Sequence, residues 1–103
     1  MNRTAELDAL IDELTVDAYN DEEQLDGFLV GADAAIRRGE RATLAGAEVE
    51  VLAVDCGPDA RTGLLARVRD GEATHEVSLA DLRFAARSEL GLVVAAYRRW
   101  QGR

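Results

Sequence analysis

Glu48-Val49-Glu50-Val51-Leu52-Ala53-Val54 opens on an alternation of polar and apolar residues. A period of two marks a strand with one buried face, and it sets Val49, Val51 and Ala53 together on that face. Leu52 and Val54 break the alternation, which predicts a strand end covered on both sides. The next run, Leu64-Leu65-Ala66-Arg67-Val68-Arg69, turns Leu64, Ala66 and Val68 inward and both arginines outward. Asp70-Gly71 then predicts a two-residue hairpin turn, whose central positions need positive φ. The partner strand is Ala73–Leu79, with Ala73, His75, Val77 and Leu79 on one face. Ala80-Asp81-Leu82 reads as one helical turn and Arg83-Phe84 as a short closing strand. Arg41 to Ala45 supplies a first strand, turning at Gly46.

Five short strands with tight turns are too few for a sandwich. They predict an α+β fold built on a small SH3-like five-stranded antiparallel barrel, or on an antiparallel meander backed by helices. Two N-terminal helices and one C-terminal helix flank this centre. Thr4 can cap the first, from Ala5 to Leu14, with Leu7, Leu10, Ile11 and Leu14 at helical spacing. Asn20 opens the second, and Glu23 three positions on completes a capping-box pattern. Its apolar stripe is Leu25, Phe28, Leu29, Ala32 and Ile36, and Arg37, Arg38 and Gly39 suit its end. Gly27 and Gly31 share a face, and each costs about 1 kcal/mol of helix propensity relative to alanine. Close approach of the barrel or of another helix is the expected compensation. Ser88 caps the last helix, Glu89–Gln101, with Leu90, Val93, Val94 and Tyr97 inward and Trp100 at the edge of the stripe.

A length of 103 residues predicts a single domain: 1–39 an acidic helical segment, 40–86 the barrel or meander, 87–103 the C-terminal helix. No apolar run approaches the ~20 residues that span a bilayer, and the acidic N-terminus lacks the basic start of a signal peptide. A cytoplasmic protein is expected. One cysteine, Cys56, rules out an internal disulfide. With His75 the only histidine, and nothing in the sequence bringing the two together, a thiol enzyme is not expected. The other acidic side chains read as solvated helix faces, so no catalytic constellation is visible.

The formal net charge is −8, and residues 1–35 hold ten carboxylates against Arg3 alone. Such a face repels nucleic-acid phosphate and attracts cations or a basic partner. The densest stretch is Val16-Asp17-Ala18-Tyr19-Asn20-Asp21-Glu22-Glu23-Gln24-Leu25-Asp26-Gly27-Phe28. Asp17, Asp21, Glu22, Glu23 and Asp26 offer hard oxygen donors at a helix start, and calcium takes roughly six to eight such ligands. The spacing is not that of an EF-hand. Capping and solubility account for the same residues without any metal.

This run, together with Ala96-Tyr97-Arg98-Arg99-Trp100, resembles a family of small bacterial proteins labelled calcium-binding. Its members share an acidic DAY-x-x-EEQ helix start, a β-rich middle and an AYRRW-like C-terminal helix. The resemblance implies Ca2+ binding, and the donor chemistry nominates the five carboxylates. The alternative is a non-enzymatic protein-interaction module whose acidic helical face docks a basic protein surface.

Overall fold

The computed structural model describes residues 3–59 and 61–102. Helices α1 (Arg3–Leu14) and α2 (Asp21–Ala35) lead into strands β1 (Arg41–Leu44), β2 (Ala47–Cys56), β3 (Leu64–Asp70) and β4 (Ala73–Ser78). A 3-10 turn, Leu79–Asp81, and helix α3 (Glu89–Gln101) follow. The strands form one antiparallel sheet in the order β1-β2-β3-β4. The architecture is therefore the helix-backed meander, with an open sheet of four strands in place of a five-stranded SH3-like barrel. The expected fifth strand at Arg83-Phe84 shrinks to one bridge between Arg83 and Thr43 of β1, held by two backbone bonds of 2.8 and 2.9 Å. Pairing stops there because the chain turns away, with the Ser88 N–H bonded to the Ala85 carbonyl at 3.0 Å to start α3.

The alternation in β2 is reversed by a bulge. Register slips between Val51 and Ala53, and Leu52 is left 36 % exposed. One extra residue moves every later side chain to the other face. Val54 thereby returns to the core, and Ala53, expected inward, faces out opposite Arg67. The β1–β2 turn is Ala45-Gly46, with φ of 51° and 86°. The β3–β4 turn is Gly71-Glu72, one residue later than Asp70-Gly71, because Asp70 still pairs with Ala73. Gly71 alone of these two has positive φ, 62°, as a turn with glycine first requires.

Helices α2 and α3 cover the inner face of the sheet. Val49, Val51, Val54, Leu64, Ala66 and Val68 meet Leu25, Phe28 and Ala32 from α2 and Leu90, Val93, Val94 and Tyr97 from α3. Phe28 and Tyr97 are completely buried, each worth about 1.5–3 kcal/mol relative to exposure. Their rings lie 5.7 Å apart, and Trp100 adds to both, 5.2 Å from Phe28 and 6.2 Å from Tyr97. The Trp100 indole also donates to Gln24 Oε1 at 2.7 Å, tying the end of α3 to the start of α2. Helix α1 buries no residue completely, but Leu7, Leu10, Ile11 and Leu14 rest against this core.

Helix ends differ from the sequence expectation in two places. Thr4 lies inside α1, which begins at Arg3. Helix α2 stops at Ala35, where Ile36 turns extended with ψ of 134°. Arg37 and Arg38 therefore lie beyond its last turn, and Arg37 pairs with Glu89 of α3 at 2.7 Å. His75 sits opposite Val68 on the inward register, yet it is exposed, because β4 is the outer strand of the sheet.

Candidate metal centre

The acidic stretch occupies the bend between α1 and α2. Leu14 ends α1, and the Ile11 carbonyl accepts from both the Thr15 N–H, at 2.9 Å, and the Thr15 hydroxyl, at 2.7 Å, which closes the last turn. Asp17 then takes φ of 61°, a left-handed position that reverses the chain. Asn20 Oδ1 accepts from the Glu23 N–H at 2.8 Å and caps α2. The Glu23 carboxylate reaches back to accept from the Tyr19 N–H at 2.9 Å, so the capping box closes one residue upstream of the cap.

Two glycines let α2 approach this bend. A Cβ on Gly27 would run into the Leu14 carbonyl oxygen. A Cβ on Gly31 would come within 2.7 Å of Leu14 Cδ2. The expected close approach is thus made by α1, not by the sheet.

All five nominated carboxylates are exposed. Asp21 and Glu22 stand in the first turn of α2 with Glu23, at the positive end of the helix dipole. Among the described residues, none of the five enters an ion pair. Asp26, one turn along from Glu22, leans towards the sheet, where the Cys56 thiol lies 3.9 Å from its Oδ1. Burial pushes the Cys56 thiol up, and the charges of Asp26 and Asp55 push it further. The thiol is kept protonated, the opposite of what a nucleophile or a soft-metal ligand needs.

The fold therefore brings Asp55 to the neighbourhood of Asp26, a partner the sequence did not single out for this stretch. Asp55 Oδ1 accepts from the Cys56 N–H at 2.8 Å. In the loop that follows β2, Asp59 accepts from the Thr62 N–H at 2.8 Å and from the Thr62 hydroxyl at 2.9 Å, which holds the Asp59 carboxyl below its usual value. Among the described residues, no three His, Cys, Asp or Glu side chains converge closely enough to hold a metal ion. Among the described residues, no helix is long and apolar enough to cross a membrane.

Two solved proteins share this fold. One is Anabaena CcbP, with a TM-score of 0.77 and 19 % identity over 100 % of this chain and 94 % of that one. The other is a calcium-binding protein in its calcium-binding form, with a TM-score of 0.74 and 17 % identity over 94 % of this chain and 90 % of that one. At this level of identity the likeness is one of overall architecture. No family model and no curated protein matches the sequence.

Proposed function

We propose that this protein binds calcium through carboxylates of the α1–α2 bend: Asp17, Asp21, Glu22, Glu23 and Asp26. The observation that carries the proposal is the near whole-chain likeness to a protein solved in a calcium-binding form. Local chemistry supports the location. Hard oxygen donors are what calcium takes, and here they are exposed and not neutralised by arginine. A divalent cation would relieve their mutual repulsion. Because the side chains are not gathered beforehand, binding must order them, and side-chain entropy opposes it. A weak or moderate affinity follows, with a preference for calcium over magnesium, since calcium tolerates irregular geometry and magnesium does not.

Titration with calcium, followed by amide chemical shifts, tests this. Shifts should localise to residues 16–27 and spread to Asp55 and Cys56. Asp21→Asn with Asp26→Asn should abolish them while the rest of the spectrum stays in place. An unchanged spectrum at millimolar calcium, or an equal response to magnesium, counts against a specific site.

Exposed apolar side chains favour a second role, docking of a basic protein segment. Tyr19 is 87 % exposed and Val16 69 % exposed, both within the acidic bend. A partner retained after chelation but released by salt would support that role, whereas release on chelation supports calcium.

A further inference from the structure

At the start of α1, the end away from the bend, the charge is of the other sign. Arg3 is the only basic residue in the first 35, and α1 carries it to a small cavity shared with Arg83 and Arg98. The cavity encloses about 120 Å³ between the chain at Phe84–Ala86 and the small side of α3 at Gly91 and Ala95. Gly91 keeps that wall thin, since a Cβ there would lie 2.6 Å from Phe84 Cβ. Arg3 of α1, Arg83 of the return segment and Arg98 of α3 thus line one cavity.

Like charges repel, and a compact site usually answers them with carboxylates. Among the described residues none of these three arginines enters an ion pair. Arg98 is half-buried and spends its guanidinium on backbone carbonyls, with Nε to Ala80 at 2.8 Å and an Nη to Leu82 at 2.6 Å. Arg83 bonds the same two carbonyls more loosely, at 3.2 and 3.4 Å. Burial and the neighbouring Arg83 charge both weaken Arg98's hold on its proton, and Asp81 offsets this only in part. Each guanidinium keeps further N–H donors, arranged in a planar fork that matches oxyanions.

We propose that Arg3, Arg83 and Arg98 form a binding site for one small oxyanion of the phosphate class. The cavity is well below the ~300 Å³ of ordinary small-molecule pockets, so a nucleotide or other large ligand does not fit inside it. A tetrahedral dianion supplies the charge the three arginines lack, through charge-assisted bonds of the kind guanidinium makes best.

The probe is inorganic phosphate, titrated into the calcium-free full chain and followed by amide shifts, with sodium chloride at matched ionic strength as the control. Saturable shifts at Phe84–Ala86 and along α3 from Gly91 to Arg98 are expected. Arg3→Gln with Arg83→Gln should weaken binding by about tenfold or more, since each removes a charge-assisted bond. Both side chains are exposed, so the variant should keep its melting temperature in chloride. Phosphoserine as a second titrant separates free anion from phosphorylated side chain: phosphate alone binding assigns the free anion, and both binding assigns the phosphoryl group. Shifts indistinguishable from chloride, or equal phosphate binding by the double variant, would overturn the site.

Discussion

The Leu14 carbonyl of α1 lies directly against Gly27 of α2, so close that no Cβ fits between them. This contact fixes the bend on which Asp17, Asp21, Glu22, Glu23 and Asp26 are mounted. Helix propensity alone says Gly27→Ala should stabilise α2 by about 1 kcal/mol. The obstacle is backbone, which cannot swing aside, so the clash wins. Gly27→Ala should lower stability by roughly 1–3 kcal/mol in urea unfolding. Gly31→Ala meets only the tip of the Leu14 side chain and should cost much less. Equal effects of the two would show that α1 is not held as described.

Tyr97 should be essential for its oxygen as well as its ring. Its hydroxyl accepts from the Leu64 N–H and from Gln101 Nε2, each at 2.9 Å. Tyr97→Phe keeps the ring and strands a buried N–H, which predicts a loss of about 1–3 kcal/mol by chemical denaturation.

The same hydroxyl makes a pH prediction. Burial raises its pKa, and the two accepted hydrogen bonds only partly counter this. The folded state thus holds the proton more tightly than the unfolded chain. The contribution is fully present below the unfolded tyrosine value of about 10 and is lost as pH rises through the folded value. Wild type should unfold in alkali with the buried phenolate appearing as helical signal disappears. Tyr97→Phe should lack that coupled step.

Ala45 holds φ of 51° in the β1–β2 turn, a conformation that costs alanine about 1–2 kcal/mol. Ala45→Asn creates Asn-Gly, the preferred pair for a turn with two positive φ angles. The melting temperature should rise by several degrees, at roughly 4–8 °C per kcal/mol. No rise would mean that the turn relaxes to another form in solution.

The periodic parts of the fold were legible. Alternation located β2 and β3, and helical spacing identified Leu90, Val93, Val94 and Tyr97 as the buried face of α3. The bulge at Leu52 was not, because one inserted residue leaves a pattern that also reads as a strand covered on both faces. The single Thr43–Arg83 bridge looks in sequence like a short strand, since pairing length depends on where α3 begins. Of the candidate site, the capped start of α2 was visible in Asn20 and Glu23. The nearness of Asp26 to Cys56 and Asp55, and of Arg3 to Arg83 and Arg98, is set by tertiary packing between distant segments.

Thermal melting in calcium chloride and in sodium chloride at matched ionic strength, in a buffer free of phosphate, bears most directly on calcium binding. If only the folded state binds, calcium at a hundredfold excess over Kd should stabilise it by about 2.7 kcal/mol. For a chain of this size that is roughly 10–20 °C, at concentrations where sodium has no effect. Asp21→Asn with Asp26→Asn should lose the calcium-specific part and keep the fold. Identical melting curves for the wild type in the two salts would contradict the calcium site.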